Sequence, residues 1–194
     1  MNNGLKFEKA RIRKALLEQR LAIPEEIRHQ ADLAMRSRFV SLASFRFAET
    51  VLLYAPIKAE PNVLLCCEDI LKAGKRLAFP RCHPDTCTMT YGLVPSLDEL
   101  VEGAYGILEP REDTEVYQPA PYKHDVCVVP AVCFDKKGYR IGYGKGYYDR
   151  FLSGFGGTTV GFCLNQFLCD SLPRGRYDHA VNLIITEKGV VSPQ

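Results

Sequence analysis

The segment with the clearest chemical potential is RIGYGKGYYDR, residues 140–150. It contains three glycines at alternate positions: Gly142, Gly144 and Gly146. Because glycine has no Cβ, such a loop can bring its backbone close to a ligand and can adopt positive φ angles. Its successive N–H groups then form a concave site for an anion, to which Arg140 and Lys145 add full positive charges. The segment therefore predicts an anion-binding loop, followed by a helix whose first turn faces the same ligand.

The glycine spacing matches neither of the two commonest phosphate-binding motifs. Tyr139 stands where GxxxxGK[ST] requires its first glycine, and Tyr147 stands where GxGxxG requires its last. Asp149, just beyond the loop, is a hard oxygen ligand of the kind that Mg²⁺ prefers. Two structural alternatives stay open. The loop could be a strained connection between two elements, and Asp149 could be a favourable acid in the first turn of a helix.

A second group of cations lies in a predicted helix over residues 5–22. Lys9, Arg13 and Arg20 fall within an arc of roughly 40° on an ideal helix of 3.6 residues per turn. Residues 6–38 as a whole carry nine basic residues against five acidic ones. The two basic segments could converge on one small anionic ligand, whereas the usual fate of such a stripe is a solvated helix face.

The elements that must position these residues follow from the hydrophobic pattern. Helical spacing and capping residues predict helices over residues 5–22, after Pro24, over 61–73, at 96–99 and over 147–153. Apolar runs predict strands over residues 50–54, 75–80, 88–93, 126–134, 158–163 and 180–186. Asp135-Lys136-Lys137-Gly138 predicts a tight turn after the fourth of them. Strands that alternate with helices are typical of an α/β fold. We therefore predict a single layered domain over residues 1–194, with a mainly parallel sheet flanked by helices.

Composition excludes several other classes of protein. With 46% hydrophobic and 25% charged residues among 194, the chain resembles an average globular domain rather than a disordered one. Its apolar runs are well short of the ~20 residues that a membrane-spanning helix needs. The beginning of the sequence lacks the apolar region of a secretion signal. We therefore expect a cytoplasmic protein with no membrane partner.

The cysteines and the net charge narrow the expectation further. The eight cysteines include no CxxC pair, and most lie in apolar runs where a thiol behaves as a small hydrophobe. Cys82, His83 and Cys87 are spaced like zinc ligands, but no fourth ligand is evident in the sequence, so reduced, structural thiols are favoured. A net charge of +2 and an acidic stretch at residues 85–115 argue against nucleic-acid binding.

The glycine-rich segment also carries a specific resemblance. Together with Phe134, Asp135 and Gly138 it closely resembles the signature of the 5-formyltetrahydrofolate cyclo-ligases. Further matches run along residues 5–187: Lys9 and Arg13, Tyr54-Ala55-Pro56 with Glu60, Gly74-Lys75, Phe79-Pro80-Arg81, Gly106-Ile107-Leu108-Glu109-Pro110, and Asp178. The fold that this resemblance implies is similar to that of the NagB/RpiA/CoA-transferase group, which agrees with the layered α/β prediction.

The resemblance implies a reaction. Members of this family close 5-formyltetrahydrofolate to 5,10-methenyltetrahydrofolate, with hydrolysis of ATP to ADP and phosphate and with Mg²⁺ as the metal. The formyl oxygen is amide-like and a poor leaving group, so its phosphorylation allows N10 to attack the formyl carbon and release phosphate. Positioning and charge stabilisation supply most of the catalysis of phosphoryl transfer, and no nucleophilic triad is required.

The resemblance also assigns residues, and all are expectations at this point. Lys145 and Arg140 would be catalytic. The nucleotide site would comprise Lys9, Ala10, Arg11, Ile12, Arg13, Arg140, Ile141, Gly142, Tyr143, Gly144, Lys145, Gly146, Tyr147 and Tyr148. The folate site would comprise Ala55, Glu60, Tyr143, Gly144, Lys145, Gly146 and Tyr147. Asp149 and Asp178 would bind Mg²⁺. Arg20 is assigned to a solvated helix face.

Some alternatives stay open. Tyr54, Phe79 and Tyr143 could stack on a folate ring, although aromatic residues in strands more often belong to the core. Arg81 could pair with a carboxylate or a phosphate. The competing functions are a folate- or nucleotide-binding module without chemistry and, for the basic helix, RNA binding. We expect a monomer whose partner is a small folate, with or without a polyglutamate tail.

Overall fold

The computed structural model describes residues 2–119 and 124–193. Its helices are α1 (Asn2–Leu21), α2 (Glu25–Ser41), α3 (Ala43–Phe47), α4 (Cys67–Lys72) and α5 (Tyr147–Leu152), with short 3₁₀ turns between other elements. Its strands are β1 (Thr50–Leu52), β2 (Arg76–His83), β3 (Thr88–Val94), β4 (Leu100–Glu102), β5 (Leu108–Pro110), β6 (Val126–Val129), β7 (Cys133–Asp135), β8 (Arg140–Ile141), β9 (Thr158–Phe162), β10 (Leu168–Cys169), β11 (Leu183–Ile185) and β12 (Val190–Val191).

A seven-stranded sheet forms the centre of the molecule, in the order β12-β11-β9-β6-β1-β2-β3. The five inner strands run parallel, and the two edge strands β12 and β3 are antiparallel to their neighbours. Strands β10, β7 and β8 form a second sheet, and β4 pairs with β5. The predicted α/β fold with a mainly parallel sheet is therefore confirmed.

The central strands are apolar along their whole length because both faces of the sheet are covered. Every residue of β1 and β6 is buried, as expected of parallel strands with helices on both sides. On α2, Met35 and Phe39 are fully buried. The Phe39 ring packs edge-on against Phe45, with centroids 5.1 Å apart, and against Phe162, 5.5 Å apart. These contacts join α2 and α3 to the centre of the sheet.

Two predicted elements differ from the structure. The single strand predicted over residues 126–134 is wrong, because the chain leaves the central sheet at Pro130 and enters the second sheet as β7. Proline has no N–H to continue the ladder of β6, which explains the break. The helix predicted over residues 61–73 is a 3₁₀ turn, Val63–Cys66, followed by the short α4. The remaining predicted elements are present, with bounds that shift by a few residues.

Three further observations concern membrane-spanning helices, cysteine pairing and metal binding. No helix within residues 2–119 and 124–193 is both long enough and apolar enough to cross a membrane. All eight cysteines are free thiols. In the part of the chain that the structure describes, Cys82, His83 and Cys87 do not form a metal site, and no three His, Cys, Asp or Glu side chains are clustered to hold one.

Candidate active site

The site lies where the strand order of the central sheet reverses. From β1 the chain crosses to β2 on one side, whereas β6, the neighbour of β1 on the other side, leads on to β9. In open α/β sheets, a crevice opens at such a point beyond the carboxyl ends of the two strands. The loop that carries Glu60 leaves β1 there, and Ala131 follows β6 there.

The glycine-rich loop is held by the turn that precedes it. Oδ1 of buried Asp135 accepts the N–H groups of Lys137 and Tyr139, at 3.0 and 2.9 Å, and its Oδ2 accepts that of Leu172 at 3.0 Å. The tight turn predicted at residues 135–138 is confirmed by the bond from the Gly138 N–H to the Asp135 carbonyl, 2.9 Å. Strand β8 then delivers the chain into the loop.

The loop itself has the backbone geometry that its glycines predict. Gly144 and Gly146 have φ angles of 94° and 76°, in the left-handed region that favours glycine. Nothing lies within 4 Å of the position that a Cβ on Gly142 would take. The loop ends where α5 begins, at Tyr147. The backbone of this loop is therefore accessible to a ligand.

Arg140 and Asp149 flank the loop and are paired with each other. The Arg140 side chain is 5% exposed, and its guanidinium donates to Oδ1 of Asp149 at 2.8 Å and to the His179 carbonyl at 2.8 Å. Asp149, 29% exposed, also accepts the His179 N–H on Oδ1, at 3.4 Å. The hydrogen bonds of Asp149 among the described residues thus fall on one oxygen, which leaves Oδ2 for a further ligand.

Helix α1 brings Arg13 to the glycine-rich loop and Lys9 to Asp178. Nε of Arg13 donates to the Gly142 carbonyl at 2.6 Å, and a Cβ on Gly144 would lie 3.2 Å from the Arg13 guanidinium. Nζ of Lys9 forms an ion pair with Oδ2 of Asp178, which also accepts the Gly175 N–H at 2.7 Å. The two distant basic segments therefore do converge, as their charge pattern suggested.

The neighbours of these two residues on α1 face elsewhere. Ala10 and Arg11 are exposed, roughly 100° and 200° around an ideal helix from Lys9. Ile12 is partly buried and packs against the hydrophobic core. No hydrogen bond or ion pair joins these three side chains to the described residues of the loop. Their predicted contact with nucleotide stays a prediction.

Glu60 is a buried carboxylate with unused hydrogen-bonding capacity. Its side chain is held by the Ile57 N–H, which donates to Oε2 at 3.0 Å, while Oε1 is buried and has no hydrogen-bond partner among the described residues. Burial raises the pKa of Glu60 to about 7. Ala55 is also buried, at 9% exposure, on the chain between β1 and Glu60. An unpartnered buried acceptor of this kind fits a ligand that donates N–H groups.

Arg20 corrects one of the expectations from sequence. It is 2% exposed, not a solvated residue. Its guanidinium donates to the Lys58 carbonyl at 3.1 Å, to the Ala131 carbonyl at 2.9 Å and to the Tyr143 hydroxyl at 2.7 Å. The side chain turns inward because those two carbonyls, at the ends of β1 and β6, satisfy it.

The aromatic residues divide between core and site. Tyr54 and Phe79 are 3% and 0% exposed and belong to the core, whereas Tyr143 lies in the loop. Burial, followed by the nearby charge of Glu60, raises the pKa of Tyr143 to about 12. The Tyr147 hydroxyl lies 2.9 Å from that of Tyr105, a residue that sequence reasoning missed. No signal in the sequence could have found Tyr105, because the pair depends on how the β4–β5 hairpin folds back.

Arg81 and Lys145 behave differently from each other. Arg81 lines a cavity of about 690 Å³ between the β2–β3 and β4–β5 hairpins, where it donates to the Pro110 carbonyl at 2.7 Å and to Glu112 at 2.8 Å. Lys145 is exposed at the tip of the glycine-rich loop. Its ammonium is therefore available to an anion, whereas the charge of Arg81 is already paired.

With this geometry established, comparison with known proteins decides the family. The sequence model of the 5-formyltetrahydrofolate cyclo-ligase family matches residues 5–187. The chain belongs to this family. The match includes α1, the loop after β1 and the glycine-rich loop, so the cyclo-ligase assignment rests on the same segments that form the site.

Individual cyclo-ligases agree along nearly the whole chain. A 5-formyltetrahydrofolate cyclo-ligase from Mycolicibacterium smegmatis is 29% identical over 192 residues, which span 95% of this chain and 96% of that protein. The solved 5,10-methenyltetrahydrofolate synthetase of Aquifex aeolicus has a TM-score of 0.82 at 34% identity and covers 95% of this chain and 92% of its own. The synthetase of Mycoplasma pneumoniae gives 0.75 at 26% identity, with 93% and 99% covered.

Proposed function

We propose that this chain, acting as a single domain, catalyses the ATP- and Mg²⁺-dependent closure of 5-formyltetrahydrofolate to 5,10-methenyltetrahydrofolate, with release of ADP and phosphate. One observation carries the proposal. In a chain of the cyclo-ligase family, Arg13, Arg140 and Lys145 lie at an open glycine-rich backbone at the reversal point of the sheet. Lys9 pairs with Asp178, next to the His179 backbone that Arg140 contacts. That arrangement fits a polyphosphate beside a second ligand.

The nucleotide half of the site would be built on the loop of residues 140–148. The backbone N–H groups of the loop would bind phosphate oxygens, and the charges of Arg140 and Lys145 would stabilise the transferring group. Bound ATP supplies the phosphoryl group that turns the formyl oxygen into a leaving group. Arg140 is fixed by two hydrogen bonds, so it would act as a rigid charge. Lys145 is unrestrained and would close on the terminal phosphate.

The folate half would face the loop after β1. Oε1 of Glu60, buried without a partner, would accept N–H groups of the pterin, and Ala55 would line the same wall. Tyr143, Gly144 and Gly146 would border both ligands, with Tyr147 at the outer end of the loop. These residues would orient the formyl group and exclude water from it, which is where positioning yields the largest rate effects.

Asp149 and Asp178 suit a magnesium ion that is shared with phosphates. The hydrogen bonds of each carboxylate among the described residues fall on one oxygen, Oδ1 of Asp149 and Oδ2 of Asp178. Mg²⁺ commonly takes one or two carboxylates and completes its shell with water and substrate phosphates. These two residues would therefore hold the metal directly or through water, while Arg140 and Lys9 remain next to the phosphates.

The remaining parts of the proposal concern where and how the protein acts. The protein would act as a monomer. The eight free thiols, five of them buried, fit a reducing compartment such as the cytoplasm. The substrate is a small folate, and a polyglutamate tail is compatible with the exposed outer end of the loop at Tyr147 and Tyr105.

The test is direct. Purified protein is mixed with 5-formyltetrahydrofolate, ATP and Mg²⁺, and the near-ultraviolet absorbance of the methenyl product is followed together with the release of ADP. We expect product and ADP in equal amounts, and no product when ATP or Mg²⁺ is omitted. A folded protein that binds both ligands and forms no product would be a binding module, and the proposal would fail.

A further inference from the structure

The feature that the proposed reaction does not yet explain is the buried guanidinium of Arg20. It joins four segments of the chain: it projects from α1, and it donates to the carbonyls of Lys58 and Ala131 and to the hydroxyl of Tyr143. A charge that is 2% exposed is costly unless it is fully hydrogen-bonded. A guanidinium spreads its donors over three nitrogens in one plane, so it can reach three separated acceptors, whereas the three donors of a lysine ammonium radiate from one atom.

The turn that Arg20 contacts is strained. Lys58 and Ala59 have φ angles of 47° and 57°, which place two consecutive non-glycine residues in the left-handed region. Such residues persist only where the surroundings hold them, and they concentrate at functional sites. Glu60 follows immediately in sequence. The bond from Arg20 to the Lys58 carbonyl therefore stabilises the turn that aims the Glu60 carboxylate.

The opposite side of the same guanidinium reaches the glycine-rich loop. Besides the bond from Arg20, the Tyr143 ring has the Lys58 ammonium 5.4 Å from its centroid. Tyr143 is thus held by two groups, the guanidinium of Arg20 on α1 and the ammonium of Lys58 in the loop after β1. Glu60 and Tyr143 are two of the side chains that we place against the folate, and Arg20 contacts the segments of both.

We propose that Arg20 is a positioning residue, which fixes the spacing between the Glu60 turn and Tyr143 and thereby sets the width of the folate half of the site. This proposal rests on the proposed function, because the ligand in that half is taken to be the folate. Arg20 itself touches neither ligand. Its effect is transmitted through Tyr143 and through the turn at residues 57–60.

The experiment compares Arg20→Lys, Tyr143→Phe and the double variant with the unmodified chain. Arg20→Lys keeps the charge and loses the fork, so we expect kcat/KM for 5-formyltetrahydrofolate to fall by about 100-fold. We expect the KM for the folate to rise by more than the KM for ATP, because Tyr143 borders both ligands whereas the Glu60 turn borders the folate alone. The double variant should be no worse than Arg20→Lys alone, because coupled residues are not additive.

A matched control separates positioning from general stability. Arg36 is also a forked, partly buried arginine, which donates to both oxygens of Asp69 at 2.6 and 2.9 Å, away from the loop. Arg36→Lys should lower the unfolding midpoint and leave both KM values unchanged. The proposal is overturned if Arg20→Lys raises the KM for the folate and the KM for ATP equally. It is also overturned if Arg20→Lys, like Arg36→Lys, changes only the unfolding midpoint.

Amide hydrogen exchange gives a readout that needs no turnover. In Arg20→Lys, amide exchange should accelerate by tenfold or more in peptides that cover residues 57–60 and 141–147. This is about the change expected from the loss of one charge-assisted hydrogen bond. Arg36→Lys should leave both peptides unchanged. An inactive unmodified chain would overturn the proposed function, and the exchange measurement would then decide the role of Arg20: acceleration in both peptides supports it, and unchanged exchange overturns it.

Discussion

The two cations that flank the glycine-rich loop differ in how strongly the fold holds them. Arg140 is nearly inaccessible and is bonded to Asp149 and to the His179 carbonyl, so its position is part of the folded structure. Lys145 is exposed on the loop; its carbonyl accepts a hydrogen bond from Arg150 at 2.9 Å, but its side chain makes no hydrogen bond or ion pair with the described residues. Variants of the two residues should therefore separate catalysis from stability in different ways.

Lys145→Ala should lower turnover by about 100- to 1,000-fold, the usual effect of removing one charge-stabilising group. Its unfolding midpoint should change little, because the side chain packs against nothing. Turnover by product absorbance and thermal unfolding are the two measurements. Lys188→Ala, at an exposed turn between β11 and β12, is the matched control and should change neither. A drop in the unfolding midpoint as large as the drop in activity would make Lys145 structural.

Glu60 should give the folded chain a pH dependence of its own. Burial raises the pKa of Glu60 from 4.5 to about 7, so the folded state holds this proton more tightly than the unfolded state. Its contribution to stability is complete below pH 4.5 and is lost as the pH rises towards 7, at up to about 1.4 kcal/mol per pH unit. Glu60→Gln should remove that loss.

The measurement is the free energy of unfolding in denaturant from pH 4 to 8 for both proteins. The free energy of unfolding of Glu60→Gln minus that of the unmodified chain should increase between pH 4.5 and 7. It should stay constant above pH 7. A difference that is independent of pH would mean that folding leaves the pKa of Glu60 unchanged.

Asp149→Asn should weaken the dependence on metal. An amide oxygen is a poorer ligand for Mg²⁺ than a carboxylate, so the Mg²⁺ concentration for half-maximal rate should rise by about 10- to 100-fold. Asp170→Asn is the control, since Asp170 is 90% exposed and pairs only with Lys136 among the described residues. An unchanged magnesium requirement in Asp149→Asn would move the metal to other ligands.

The glycine-rich loop and helix α1 form one unit, because Arg13 is bonded to the loop carbonyl of Gly142 at 2.6 Å. The glycines of that unit are not equivalent. Gly144 combines a positive φ of 94° with a close approach of the Arg13 guanidinium. Gly142 has neither constraint, although it stands only two positions earlier.

Gly144→Ala should therefore destabilise the fold by about 1–2 kcal/mol, the cost of a side chain in the left-handed region. Gly142→Ala should change the free energy of unfolding by less than about 0.5 kcal/mol. Denaturant unfolding of both variants tests this. Equal stability of the two would show that the loop adjusts its backbone freely, and the nest of N–H groups would lose its fixed geometry.

The order and type of most elements could be predicted because each depends on local signals. Helices α1 and α2, strand β1 and the turn at residues 135–138 are present where the sequence pattern predicts them. The break at Pro130 was missed because the apolar run continues through it, and only the pairing of β7 with β8 and β10 reveals the change of sheet. Local pattern cannot say to which sheet a strand belongs.

The two sheets meet at a contact that no local pattern indicates. A Cβ on Gly161, in β9, would lie 2.4 Å from the ring of Phe134 in β7. The glycine is therefore required by the packing of one sheet on the other. This contact also fixes β7, and through the turn at Asp135 it fixes the strand that leads into the glycine-rich loop.

Gly161→Ala should lower the free energy of unfolding by about 1–3 kcal/mol, as overpacking of a filled core does. Gly156→Ala, where nothing lies within 4 Å of the added atom, should stay within about 0.5 kcal/mol of the unmodified chain. Chemical denaturation of both proteins is the measurement. If Gly161→Ala is as stable as Gly156→Ala, the two sheets are not tightly packed at this point.

Site residues could be predicted where the residue type and its motif indicate the chemistry. The glycine-rich loop, Lys9 with Arg13, and Glu60 were found from motif and resemblance, and the fold brings the basic ones together. The burial of Arg20 could not be foreseen, because on α1 it shares the face of Lys9 and Arg13. It turns inward only because carbonyls in the segments after β1 and β6 accept its hydrogen bonds. Tyr105 depended in the same way on tertiary structure.

The ion pair between Lys9 and Asp178 has a consequence for folding during synthesis on the ribosome. It joins positions 169 residues apart, and the loop of residues 140–148 lies between them in sequence. A chain still emerging from the ribosome can fold its early strands, yet it cannot assemble the complete nucleotide pocket until Asp178 has left the exit tunnel. Strand β11 also follows Asp178 in the chain, so nascent chains arrested before residues 183–185 have emerged should fail to be retained on immobilised ATP, whereas the released 194-residue chain should be captured.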